Sequence, residues 1–246
     1  MTVVGVIPSR LKSTRLPNKA LVDIEGLPMI VHVLKRVQMC SLLDNVFVAT
    51  DSKEIYDTVT AHGGKAVMTS EKHQCGTDRV AETVENMNAD IIVNIQGDEP
   101  LLNPSDIDKL VRTIKRDDNI QFTTLVCKTP RFNDTSECKV VMDLNNDILY
   151  MSRSDIPSAD RSKVEFLYKL YCIVAFRKPF LMKFASWAAT PLEKVEYIEY
   201  LRIIEHGFKI RGVPIEEYTT SVDTPQDLTL VKEMMKKDTI KLKYLR

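Results

Sequence analysis

Short β-branched runs alternate with helix-spaced apolar residues over the first hundred positions, the pattern of a parallel, doubly wound α/β sheet. Val3 to Ile7 is the first expected strand. Pro28 opens a helix whose apolar positions Ile30, Val33, Leu34 and Val37 form one stripe. Asn45 to Thr50 is a second buried strand, and Asp51 or Ser52 caps a helix through His62 that Gly63-Gly64 ends. Lys65 to Met68, a helix from about Thr77 to Met87, and a buried apolar strand at Ile91 to Ile95 complete the run. Residues following that last strand stand at its carboxyl end, the edge where open α/β sheets bind ligands.

From Gln121 the chain turns β-rich. Val140 to Asp143 and Ile148 to Met151 flank Asn145-Asn146-Asp147 as a hairpin. Residues from about 129 to 184 read as a lobe inserted into a single domain spanning 1–246. A helix from Pro191 to His206, a strand near Lys209 to Val213 and a helix after Asp223-Thr224-Pro225 restore the α/β alternation.

Composition narrows the function. The 34 basic and 34 acidic residues cancel, which gives no reason to expect nucleic acid or a membrane surface as partner. No apolar run reaches the ~18 residues of a membrane span, and no signal-peptide pattern opens the chain. Five scattered cysteines without a CxxC pair argue against a disulfide framework or a zinc site and point to a reducing, cytoplasmic setting.

Ser9, Arg10, Lys12, Ser13, Thr14, Arg15 and Lys19 put cations and hydroxyls beyond the first strand, donors suited to a polyphosphate, although a solvated basic loop has the same composition. The loop has no GxxxxGK and is not a Walker A motif. Gln96-Gly97-Asp98-Glu99-Pro100 brings Asp98 out over the same edge, where a carboxylate could hold magnesium against a triphosphate or cap a helix. Asp223, just before a helix, carries the same two readings. His73 to Arg79 offers a glycine turn, a hydroxyl and a helix start that could read a base and ribose, while His73 and Cys75 lack the spacing of metal ligands or a nucleophilic dyad.

Taken together, Ile7-Pro8-Ser9-Arg10, Ser13-Thr14-Arg15-Leu16-Pro17-Asn18-Lys19, Gly76-Thr77-Asp78-Arg79, Gln96-Gly97-Asp98-Glu99-Pro100, Ser152-Arg153-Ser154-Asp155-Ile156-Pro157 and Val222-Asp223-Thr224-Pro225-Gln226-Asp227 closely resemble the 3-deoxy-manno-octulosonate (Kdo) cytidylyltransferase family nearly end to end. The resemblance implies a nucleotide-diphospho-sugar transferase fold, with a mostly parallel sheet and an inserted β-rich lobe that helps form a homodimer. It also implies a reaction in which the anomeric hydroxyl of a 2-keto-3-deoxy sugar acid attacks the α-phosphorus of CTP and releases pyrophosphate. Such a product is used in glycan assembly, lipopolysaccharide among the candidates. Carried over by position, Ser9, Arg10, Arg15 and Lys19 fall on the triphosphate loop and Asp98 and Asp223 on the Mg2+ carboxylates, with Arg10, Lys19, Asp98 and Asp223 as the catalytic set. Thr69, Gln74, Gly76, Thr77 and Arg79 match the cytosine and ribose region. Gln96 falls between nucleotide and acceptor and touches both, and Arg153 and Glu199 fall on the acceptor side.

That side also departs from the family's pattern. Lys169-Leu170-Tyr171-Cys172-Ile173-Val174 stands where the family commonly reads Lys-His-x-Gly-Ile-Tyr, Tyr200 stands for a glutamine, and Ser70 and Cys75 replace an arginine and a serine. Leucine and valine cannot hydrogen-bond sugar hydroxyls. The expected acceptor is therefore Kdo or a relative, with a different anionic acceptor, or a catalytically silent CTP-binding regulator, as the alternatives.

Overall fold

The computed structural model describes residues 1–11, 16–73, 75–158, 161–216 and 220–245. In chain order the elements are β1 (Val3–Ser9), β2 (Asp23–Ile24), β3 (Leu27–Pro28), α1 (Met29–Val37), β4 (Asn45–Thr50), α2 (Lys53–Ala61), β5 (Lys65–Met68), α3 (Gly76–Val84), β6 (Ile91–Ile95) and α4 (Pro104–Arg116). They continue with β7 (Phe122–Thr129), β8 (Lys139–Met142), β9 (Ile148–Ser152), β10 (Leu167–Arg177), α5 (Lys178–Ser186), α6 (Pro191–Glu196), α7 (Leu201–Glu205), β11 (Arg211–Ile215) and α8 (Pro225–Lys237). The chain forms two compact units, Met1–Asp108 with Thr219–Arg246, and Lys109–Tyr218.

In the first unit β1 pairs in parallel with β4 on one side and β6 on the other, and β4 pairs in parallel with β5. The strand order is therefore β5-β4-β1-β6. The chain runs outward from β1 through β4 to β5 and then returns to the far side of β1, so the order reverses between β1 and β6. A reversal of this kind opens a crevice at the strands' carboxyl ends. β1 and β6 are buried along their full length, as expected of a sheet covered on both faces. Ser52 caps α2, its side chain accepting from the Ile55 amide at 3.3 Å.

α8 is locked down at its far end. Arg36, on α1, is fully buried; it donates to the Leu102 carbonyl at 3.0 Å and forms an ion pair with Asp238, just past α8. His32, one turn away and also fully buried, has Nε2 2.7 Å from the Ile24 carbonyl and Nδ1 2.8 Å from the Tyr244 hydroxyl. A carbonyl can only accept, so Nε2 carries the proton and Nδ1 accepts from the tyrosine. Burial is the main cause of a lowered His32 pKa, reinforced by Arg36 and Lys241 and opposed by the Ile24 carbonyl and Asp23.

In the second unit β7 pairs antiparallel with β10 and parallel with β11, while the β8–β9 hairpin joins β10 through β8. Phe122, Phe176, Phe180, Phe184 and Tyr200 pack there, with Phe122 and Phe176 edge to face at 4.5 Å between centroids. The strand expected near 209–213 lies at Arg211–Ile215. The single helix expected from Pro191 to His206 is two short ones, because Tyr197 enters the left-handed region at φ 60° and ends α6. Arg202 fixes that break by donating to both Glu193 carboxylate oxygens, at 2.8 and 2.5 Å. Among the described residues, no helix is long and apolar enough to cross a membrane.

Two outcomes are expected of the α1–α8 lock. Asp238→Ala leaves a buried guanidinium without its counter-ion and should lower unfolding free energy by about 3 kcal/mol in urea titrations, as for other broken buried pairs. His32 binds a proton less readily folded than unfolded, so the stability it confers is present above its ordinary value of 6.5 and is lost as pH falls below it. The stability difference between the wild type and His32→Gln, followed by urea midpoints, should shrink below pH 6.5.

Candidate active site

The carboxyl ends of the first unit's parallel strands carry the polar residues of the crevice: Ser9 on β1, Thr50 at the end of β4 and Asp51 after it, Thr69 after β5, and Gln96 to Asp98 after β6. Gly97 sits so close to β1 that a Cβ there would lie 3.1 Å from the Pro8 carbonyl oxygen. Gly76, the first residue of α3, is similarly tight, with a Cβ position 3.3 Å from Pro8 and 3.8 Å from the Gln96 side-chain oxygen. These two glycines let the α3 N-terminus and the turn after β6 close around the end of β1.

Lys19 lies at the start of a short 3₁₀ turn, after Asn18 in the left-handed conformation (φ 53°), which asparagine tolerates better than most residues. Its ammonium donates to Asp98 Oδ2 at 2.7 Å and to Asp223 Oδ1 at 3.0 Å. Burial is the largest influence on this group and lowers its pKa, but Asp98 and Asp223 together outweigh it and leave the pKa above its ordinary 10.5. The two acids meet because the Val222 amide donates to the Asp98 carbonyl at 2.9 Å, which lays the returning chain against the turn after β6.

One apolar cluster underlies all three side chains. Ile24, Met29, Leu101, Val222, Val231 and Met235 are buried in it, with Leu16, Val22 and Leu228 packed against it. Leu16 and Val22 flank Lys19, Leu101 follows Asp98, and Val222 precedes Asp223. Each buried side chain of this size contributes about 1.5–3 kcal/mol, so the cluster holds the charged triad at well-fixed positions.

The helix-cap readings of both acids give way to this arrangement. Thr224 caps α8, its hydroxyl accepting from the Asp227 amide at 3.2 Å while the Asp227 carboxylate accepts from the Thr224 amide at 2.8 Å. The Asp223 carboxylate instead faces Lys19, as does that of Asp98.

The remaining expected residues fall as follows. Arg10 is exposed just beyond β1, and Ser9 is buried at its end. Arg15 and Gln74 lie outside the described residues. Thr69 is buried and accepts from Arg79, whose guanidinium also pairs with Asp51 at 2.8 Å; Arg79 thereby ties α3 to the ends of β4 and β5. Thr77 is fully buried and accepts from the Asn94 amide at 3.3 Å, and Asn94 in turn accepts from Gln96 at 3.2 Å. Arg153 and Glu199 belong to the second unit. The Arg153 guanidinium is held by the carbonyls of Thr135, Ser136, Glu196 and Tyr197. Leu170, Val174 and Tyr200 are buried in that unit, Tyr200 within the aromatic cluster.

Asn94 and Asp51 are absent from the expected site. Ile91 to Ile95 reads as an apolar strand, yet Asn94 interrupts it, and a fully buried amide in a central strand has to be hydrogen-bonded. That interruption was the available signal. Asp51, read as a helix cap, carried none. His73 pairs with Glu82, which also accepts from the Ser70 amide at 3.0 Å, so Ser70 and His73 are tied to α3.

Comparisons with known proteins identify the family. Residues 4–210 match the family model described as cytidylyltransferase. The chain is 41% identical over 249 residues to a 3-deoxy-manno-octulosonate cytidylyltransferase of Geobacter metallireducens, covering 96% of this chain and 98% of the relative. It is 39% identical to the enzyme of the same name from Geotalea uraniireducens, over 96% and 100% of the two chains. Among solved structures it is similar to a CMP:2-keto-3-deoxy-manno-octonic acid synthetase complexed with CTP, with a TM-score of 0.93, 36% identity, and coverage of 96% of this chain and 99% of that one. A cytidylyltransferase from Leptospira borgpetersenii, 22% identical at a TM-score of 0.66, shares the fold.

Thr77→Val removes the acceptor of the Asn94 amide in a fully buried setting. It should cost about 1–3 kcal/mol in a urea titration, the penalty of an unsatisfied buried donor.

Proposed function

The chain belongs to the cytidylyltransferase family, and from that premise we propose that it transfers CMP from CTP to the anomeric hydroxyl of Kdo or a closely related 2-keto-3-deoxy sugar acid. The observation that carries this reading is the convergence of Asp98, Asp223 and Lys19 at the crevice where the strand order reverses. Two carboxylate oxygens already within hydrogen-bonding distance of a single nitrogen suit Mg2+, which takes one or two carboxylates and completes its shell with phosphate oxygens and water. Asp98 and Asp223 would hold it. The ion would supply a Lewis acid that polarises the α-phosphoryl group and offsets charge as pyrophosphate leaves.

The chain's own groups do the rest. Arg10 and Lys19 offset the negative charge of the triphosphate, a stabilisation that grows as pyrophosphate departs. The amide end of α3 at Gly76 and Thr77 presents donors and a positive helix end to the nucleotide. The buried ties of Thr77 to Asn94 and of Asn94 to Gln96 keep that end in register with the turn after β6. An acceptor oxygen held in line with the leaving pyrophosphate needs no covalent enzyme intermediate. The acceptor-side roles of Gln96, Arg153 and Glu199, and those of Arg15 and Gln74 toward the nucleotide, rest on the sequence resemblance. The same reading includes a cytoplasmic homodimer of one cytidylyltransferase domain with an inserted lobe.

Pyrophosphate release measured with CTP, Mg2+ and a panel of sugar acids tests the reading, and Kdo or a near relative should turn over. Failure of every 2-keto-3-deoxy acid would overturn it. Asp98→Asn, similar in volume but without the charge, should slow turnover by about a hundredfold or more while the urea midpoint stays close to wild type. Wild-type turnover in that variant would remove Asp98 from the reaction.

A further inference from the structure

Lys19 does not extend from its turn toward open solvent. Its side chain is 17% exposed, and its ammonium stands between the two carboxylates that the proposed function gives to a divalent cation. The contacts at 2.7 and 3.0 Å use one oxygen of each acid, so the ammonium already sits where both carboxylates converge. A second cation entering between the same oxygens would meet the ammonium at a few ångströms in a partly desolvated place, where like charges repel more strongly than in open water. Metal and ammonium cannot both hold this position.

The lysine nevertheless has room to give way. Its charge ends a flexible four-carbon stem, and the backbone beneath is anchored by Leu16 and Val22 in the apolar cluster, so the side chain can swing without moving the turn. A triphosphate brought to the same edge offers oxygens to replace both lost partners.

We infer that Lys19 is an internal counter-ion that reserves the carboxylate pair: it competes with a bare divalent cation and yields the pair to one arriving chelated by a nucleoside triphosphate. This rests on the metal assignment made above. Lys19 thus has two successive sets of partners, the acids before the nucleotide binds and the phosphate oxygens afterwards. Binding of metal and of nucleotide is then positively coupled, and each must raise the affinity for the other by the same factor.

Mn2+ serves as the probe. Binding to the nucleotide-free protein, followed by the loss of the free-ion paramagnetic resonance signal, should be about tenfold or more tighter in Lys19→Met than in the wild type, the scale of ordinary coupling between sites. Equal binding by the two proteins overturns the inference and leaves the metal assignment standing. If Lys19→Met folds poorly by its urea midpoint, the wild type labelled with 15N-lysine decides. The Lys19 ammonium resonance should hold on addition of Mg2+ alone and move on addition of Mg2+ with CTP; movement with Mg2+ alone overturns the inference. An Asp98→Asn variant whose CTP affinity responds to Mn2+ as the wild type's does would overturn the metal assignment itself, and the inference with it.

Discussion

Two aspartates 125 positions apart in the sequence, Asp98 and Asp223, are brought to one point, and a single lysine makes that approach tolerable. Without the Lys19 ammonium the pair would repel, and the chain segments carrying the acids would have no electrostatic reason to lie together. With it, charge neutralisation above and apolar packing below act on the same three stretches of chain. The order reversal of the parallel sheet supplies the place, and the Val222 amide bonded to the Asp98 carbonyl supplies the register.

The rest of the first unit can be understood as support for that point. The glycines at 76 and 97 permit close approach to Pro8, and Arg79 joins α3 to two strand ends through Asp51 and Thr69. At the other end of α8 the buried Arg36, its partner Asp238 and the His32–Tyr244 contact hold the helix whose start presents Asp223. Charge serves two purposes in this unit: ligand exchange at the partly exposed Lys19 triad, and fastening at the buried Arg36 and Arg79.

Much of this was legible in the sequence, for identifiable reasons. Alternating runs gave β4 and β5 with their observed ends, because those strands are bounded by a cap and by glycines that leave little latitude. Asp98 and Lys19 could be named because cations and an acid emerging after buried strands have few structural uses. Less legible was anything set by distant partners. Tyr197 breaks a helical pattern that looks continuous, and only the Arg202–Glu193 contact across the turn accounts for it. Asn94 was overlooked inside an apolar run, and Asp51 was read as a cap because its true partner, Arg79, lies 28 positions away. The contact of Lys19 with both acids at once had no signature in spacing.

The first unit is assembled from both ends of the chain, and this gives its biosynthesis an order. Arg36 emerges from the ribosome early, yet its counter-ion follows 202 residues later. The pairings of β7 with β10 and β11 and of β8 with β9, by contrast, are all encoded between positions 109 and 218. Domains tend to fold as their residues become available during synthesis. Those pairings can therefore form while Arg36 still lacks Asp238 and Lys19 is bonded to at most one of its acids. Under the proposed function the pair of acids is complete only once Asp223 has been made, so a chain terminated before it lacks one of its two proposed metal ligands.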